Sequence, residues 1–311
     1  MIFIVLFFLI LLGTNIGFCV ELTILTQDPH KGVFRSLQNG LQQHKITYNI
    51  NPVRAEDVYP VVLVIDGLDK FRYGVHLKKL GHIKLLLAGP NLMIRSCDYN
   101  HLLASPELDH YLVPSEWTKI AYIEDEPSLA DHISIWPSGV DIHYWQPNLA
   151  PKQKKALIYW KTESESFCKS IEDMVQAKGY MTTRITYGAY SQEQFKSELN
   201  ECEFAIFVSR SESQGIALAE AWAMNVPTFV WNPGEFFYAG KHYNPVSSCP
   251  FLTDMQGRDW KTTSQLEKLI QAYQNNKFIF SPRDWVLKNM SDYASIECLL
   301  KIINQLQVSK N

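Results

Sequence analysis

The stretch SESQGIALAEAWAMNVPTFVW, Ser211 to Trp231, sets two carboxylates, Glu212 and Glu220, around a glycine, Gly215. Gly215 stands where a loop gives way to a helical run. Backbone N–H groups in the first turn of a helix, here Ile216 to Leu218, have no helical partners, and with the helix dipole they suit a phosphate. Glycine lets such a ligand come close to the backbone. Glu220, about one turn further in, is placed to accept from two neighbouring hydroxyls of a ribose. Glu212 precedes the helix and is placed to accept from hydroxyls beyond the phosphates. Diphosphate in the middle, ribose on one side and a sugar on the other describe a nucleotide-sugar. The plainer alternative is that Glu212 is a solvated loop acid near a helix N-terminus and Glu220 a solvated helix residue. The pairing with Gly215 and with the small residues Ala217, Ala219, Ala221 and Ala223 weighs against it.

These residues need strands and helices to hold them. Short apolar runs alternate with helical ones. ELTILT, KITYNI, YPVVLVID, HIKLLLAGPN, LDHYLVPS and HISIWPSGVD read as strands, with helices in HKGVFRSLQNGLQQH, KFRYGVHLKKLG and SEWTKIAYIED. HYWQPNLAPKQKK, His143 to Lys155, has two prolines and no periodicity and reads as a linker. Alternation then restarts with ALIYW and runs through VPTFVW, and TSQLEKLIQAYQNN and DYASIECLLKIINQLQ read as amphipathic closing helices. The expected fold is α/β, with two Rossmann-like doubly wound domains facing a cleft. The expected domains are 20–148 and 149–285, with a closing helix over 286–311. Ligands in such sheets lie beyond the carboxyl ends of the strands, where the opening stretch falls.

The totals exclude several classes. Of 311 residues, 46% are hydrophobic and 20% charged, a globular composition. With 29 basic against 32 acidic residues the net charge is −3, so there is no basic field for nucleic acid. Six cysteines (Cys19, Cys97, Cys168, Cys202, Cys249 and Cys298) include no C-x-x-C pair, and their wide spacing fits buried thiols better than disulfides. No D-x-D stands at a strand end, so no metal is expected. The start, MIFIVLFFLILLGTNIGFCV, is apolar with no Lys or Arg before Lys31. Residues 1–19 read as a cleaved signal peptide, an uncleaved membrane anchor or the product of a mis-set start codon. The first two place the protein in a secretory or periplasmic space or at a membrane, and the third in the cytoplasm.

The segment Ser209 to Trp231 resembles the E-x7-E donor segment of retaining nucleotide-sugar glycosyltransferases with the GT-B fold. Ser209, Glu212, Gly215, Glu220, Ala221, Ala223 and Pro227 match that pattern. Gln214 replaces its aromatic residue, Trp222 its methionine, and Asn225 a glycine at the helix end. IWPSGVDIHYWQP resembles the family's interdomain segment, with Ser138 in place of Asn, and the likeness covers about residues 131 to 275. It implies a metal-independent hexosyltransferase with no cofactor beyond the nucleotide-sugar co-substrate. The acceptor, a glycan, lipid or protein, would bind the first domain. Glu212 would contact the donor sugar, Glu220 the ribose, and Gly215, Ile216 and Ala217 would offer backbone to the donor. Gly32, in DPHKGVFRS, takes the place of the family's first glycine-rich loop, although a glycine there also serves turn geometry alone. The family neutralises the diphosphate with an Arg and a Lys after the first strand of the second domain. ALIYWKTESESFCKS offers Lys161 for the first and Lys169 for the second at a different spacing. That departure keeps open a catalytically weakened GT-B protein that binds a nucleotide-sugar or glycan. The apolar start keeps open a secreted two-domain solute-binding protein.

Overall fold

The computed structural model describes residues 20–161 and 163–309. The expected signal peptide or anchor, residues 1–19, lies outside them.

The first half builds one parallel sheet. Its strands are β1 (Glu21–Leu25), β2 (Thr47–Ile50), β3 (Val61–Val64), β4 (Leu85–Ala88), β5 (His110–Val113) and β6 (Ile133–Ile135), in spatial order β2-β1-β3-β4-β5-β6. The helices α1 (Lys31–Gln43), α2 (Leu68–Lys79) and α4 (Glu116–Asp125) connect them, with a single left-handed turn, α3 (Asp98–His101), between β4 and β5. VVLV of β3, LLLA of β4 and HYLV of β5 are buried along their whole length, as strands covered on both faces must be. One face packs Phe71 and Leu77 of α2 with Tyr122 of α4. The other packs Leu37 and Leu41 of α1.

The second half repeats the plan. Strands β7 (Lys155–Trp160), β8 (Met181–Thr186), β9 (Phe204–Val208), β10 (Thr228–Trp231) and β13 (Gly257–Trp260) form a parallel sheet in the order β13-β10-β9-β7-β8. Helices α5 (Glu165–Ala177) and α8 (Thr263–Gln274) cover one face. Helices α6 (Gln192–Glu201), α7 (Ile216–Ala223) and α9 (Pro282–Asn289) cover the other. Between β10 and β13 stands an antiparallel hairpin, β11 (Phe236–Tyr238) and β12 (Lys241–Tyr243), which joins neither sheet. This hairpin, β13 and α9 carry too short or too polar a pattern to read as elements in sequence.

The chain crosses between the halves twice. Trp136 is buried in the core of the first sheet, and Val140 and Trp145 are buried in that of the second. The forward crossing therefore falls earlier than the boundary expected at 148–149. Only the start of the expected linker is packed: Trp145 is fully buried and Arg283 donates to its carbonyl at 2.8 Å, whereas residues 148–154 are exposed. The last helix, α10 (Asp292–Val308), returns to the first sheet, where Ile296, Leu299, Leu300 and Ile303 complete its core. Gly40 of α1 permits this return, because a Cβ there would meet Ile296 Cγ1 at 2.3 Å and the Asp292 carbonyl oxygen at 2.4 Å. The two crossings are bonded to each other, Val140 N donating to the Met290 carbonyl at 2.9 Å and Asp292 N to that of Val140 at 3.2 Å. The five described cysteines are unpaired, and Cys168, Cys202 and Cys249 are buried.

Candidate functional site in the interdomain cleft

The carboxyl ends of both sheets open onto one cleft of about 1040 Å³. Its walls come from the loops after β1, β4 and β5 on one side and after β7, β8 and β9 on the other. Glu212, Gly215, Ile216, Ala217, Glu220, Lys161 and Gly32 all line it.

Gly215 is the N-cap of α7 and adopts a left-handed conformation, φ 82° and ψ 57°. A Cβ at that position would lie 2.9 Å from Leu218 Cδ1. A side chain is therefore disfavoured twice, by backbone and by space. The first helical bond is Ala219 N to the Gly215 carbonyl, 3.1 Å, which leaves the N–H groups of Ile216, Ala217 and Leu218 without helical acceptors. The N-terminus of α1 comes from the opposite wall. A Cβ on Gly32 would stand 4.0 Å from Ile216 Cδ1, so two helix N-termini meet across the cleft. Two positive dipole ends in one place favour an anion between them. At the other end of α7, Asn225 holds the left-handed φ of 55° that the sequence leads one to expect of a helix end.

Glu220 is 7% exposed, and no hydrogen-bond donor among the described residues reaches its carboxylate. Burial pushes its pKa up to about 8, with the Arg35 guanidinium pulling the other way. A buried carboxyl group that meets no donor among the described residues suits a ligand bringing hydroxyls. Arg35 lies on α1 and donates to Gln192 Oε1 at 3.1 Å, from one domain to the other. Sequence reasoning missed it; the available signal was its position three residues past Gly32 on the same helix.

Glu212 and Lys161 form an ion pair, Nζ to Oε1 2.9 Å, with both side chains about one-fifth exposed. The Lys161 ammonium also lies 4.4 Å from the centre of the Tyr187 ring. The loop that bears Glu212 is held from two directions. Glu212 N donates to the Ser247 carbonyl at 3.0 Å, and Trp117 Nε1, from the first domain, donates to the Glu212 carbonyl at 2.9 Å. Gln214, which replaces the aromatic residue of the pattern, lines the cleft and is 6% exposed. Its amide clips the interdomain segment, accepting from Ser138 N at 2.8 Å and donating to the Ser138 carbonyl at 2.7 Å.

Lys169 is the correction. It sits exposed on α5, paired with Asp173 one turn on at 2.7 Å, and it is not part of the cleft wall. Its distance from Lys161 in sequence carries it along the helix away from the strand end. Of the two expected diphosphate cations only Lys161 lines the cleft. Among the described residues no group of three or more His, Cys, Asp or Glu could hold a metal ion.

No family model matches the sequence, and no curated protein matches it. Solved structures do match its fold. The apo form of the lipopolysaccharide outer core galactosyltransferase WaaB superposes with a TM-score of 0.57 at 12% identity, over 94% of this chain and 100% of that one. HepE of Anabaena, solved in complex with UDP and glucose, gives 0.55 at 10% identity, over 92% and 99%. The sucrose-phosphate synthase of Thermosynechococcus elongatus gives 0.53 at 12%, over 93% and 100%. The architecture is thus the GT-B fold, two doubly wound domains facing a cleft, and at these identities the likeness is one of fold.

Proposed function

We propose that this protein is a metal-independent glycosyltransferase that moves a hexose from a nucleoside diphosphate-sugar to an acceptor with retention at the anomeric carbon. The observation that carries this reading is Glu220, a buried carboxyl group one turn inside the helix N-terminus that faces a second helix N-terminus across the cleft. HepE, of the same fold, was solved with UDP and glucose, which fits a nucleotide-sugar in a cleft of this kind.

In this reading the ribose hydroxyls donate to Glu220, and the diphosphate lies against the N-termini of α7 and α1. Lys161 leaves its pairing with Glu212 to meet the phosphates, and Glu212 accepts from the hydroxyls of the donor sugar. The acceptor hydroxyl forms its bond to the anomeric carbon on the face from which the bond to the phosphate oxygen breaks. Its proton passes to the departing phosphate, so no separate protein base is required. Charge building on the leaving group is met by Lys161 and by fixed backbone dipoles, which need little reorganisation as it develops.

A second reading rests on the same ion pair. Lys161 is the only expected diphosphate cation in the cleft wall, and Glu212 holds it. A catalytically weakened protein that binds a nucleotide-sugar or glycan fits this as well. Incubating the full chain with nucleotide-sugars and following release of nucleoside diphosphate separates the two. Release that falls in Glu212→Ala, with an α-configured product from an α-linked donor by proton NMR, supports the enzyme. Tight nucleotide binding without release supports the binding protein.

A further inference from the structure

The hairpin β11–β12 leaves the second domain and reaches the first. Lys241 at its turn pairs with Asp125 of α4 at 2.6 Å and with Glu124 at 3.4 Å. Alternation along β11 turns Phe236 and Tyr238 to one face, and both line the cleft. Their rings are nearly parallel, with centroids 6.2 Å apart and planes 15° apart, so they form a ledge. Phe237 points the other way and stacks on His242 at 4.3 Å.

The first domain adds Trp117 and Tyr99 to the lining of the same cleft, the latter 58% exposed. Tyr99 begins a run of three non-glycine residues in the left-handed region, with φ 56° at Tyr99, 58° at Asn100 and 57° at His101. Such backbone is costly and persists where neighbours enforce it. Arg95 bonds to Asp98 on one side of the run (2.7 Å), and His101 to Glu126 on the other (2.6 Å). The fold thus keeps a strained segment that presents an aromatic ring at the cleft. The charged groups around it come in pairs, Arg95 with Asp98 and Lys241 with Asp125 and Glu124.

We infer that this aromatic end of the cleft is the acceptor site and that it takes an uncharged oligosaccharide. The inference rests on the glycosyltransferase reading above. The C–H face of a pyranose ring packs on flat aromatic surface, while its hydroxyl edge donates hydrogen bonds to carboxylates and accepts them from guanidinium groups. The ledge supplies the first, and Asp98, Asp125 and Arg95 at the rim supply the second. A lipid-linked phosphate would need uncompensated positive charge, and the two cations at this end, Arg95 and Lys241, are already matched by carboxylates.

The test incubates the full chain with a printed array of natural glycans and, separately, with phosphatidylcholine–phosphatidylglycerol vesicles, with nucleotide binding followed by thermal shift. Neutral oligosaccharides should bind. Phe236→Ala and Tyr238→Ala should each weaken that binding about tenfold, the loss of one aromatic anchor, and Phe237→Ala should stay within about twofold. Nucleotide binding should be unchanged in all three. Normal nucleotide binding with no glycan bound overturns the site, as does glycan binding indifferent to Phe236 and Tyr238, or vesicle binding in place of glycan binding. Glycan binding lost in the ring variants, in a protein that binds no nucleotide, upholds the saccharide site and sinks the donor reading.

Discussion

Trp117 of the first domain donates its indole N–H to the backbone carbonyl of Glu212 in the second, across the mouth of the cleft, at 2.9 Å. The carboxylate proposed to hold the donor sugar therefore sits on a loop whose position depends on the other domain. Removing the indole N–H should disturb the loop and leave the helix N-terminus and Glu220 in place. Trp117→Phe should lower turnover roughly two- to tenfold, the equivalent of one hydrogen bond worth about 0.5–1.5 kcal/mol net. Nucleotide affinity by calorimetry should stay within about twofold. Loss of affinity equal to the loss of turnover would mean that the bond organises the whole site rather than its sugar end.

Glu220 links stability to pH. Its carboxyl group titrates near 4.5 in an unfolded chain and near 8 in the folded protein, because burial disfavours the charge. Between those values the folded state holds a proton that the unfolded state has released. The stability from the neutral group is therefore full below about pH 4.5 and lost as pH rises through about 8. Glu220→Gln cannot ionise. Its melting temperature should exceed that of wild type near pH 8, and the gap should close on acidification; parallel profiles would refute the assignment. Ribose hydroxyls favour the ionised form, so nucleotide binding near pH 7 should release a proton, measured by calorimetry in buffers of different ionisation enthalpy.

Gln214 holds both the N–H and the carbonyl of Ser138, and both residues are buried. Gln214→Ala strands two backbone groups, each at about 1–3 kcal/mol when left without a partner. Chemical denaturation should show a loss of at least about 1 kcal/mol in the unfolding free energy, and a midpoint equal to wild type would contradict the clip. Gln214→Glu should fall between, since it keeps the acceptor and loses the donor.

The strands were legible because parallel strands buried on both faces are written as unbroken apolar runs, as in VVLV and FAIFV. That Glu212, Gly215 and Glu220 line one cleft was legible because the loop and the helix that carry them are contiguous in sequence. Residues that act over long separations were not. Arg35 and Trp117 meet the second domain only through the fold, and nothing local to Gln214 marks it as the partner of Ser138. Lys169 misled for the complementary reason: closeness to Lys161 in sequence says nothing about which face of α5 it takes. The return of α10 to the first sheet was hidden as well, since an amphipathic stripe shows that a helix packs and not against what.

The central claim is that the cleft binds a nucleotide through Glu220 and the N-terminus of α7. Isothermal calorimetry of the full chain against UDP, GDP and ADP, in wild type and Glu220→Ala, tests it most directly. One nucleotide should bind the wild type and bind the variant at least about tenfold more weakly, a loss of about 1.4 kcal/mol. Equal affinity in the two proteins would remove Glu220 from the site, and no heat with any of the three would contradict the nucleotide reading itself.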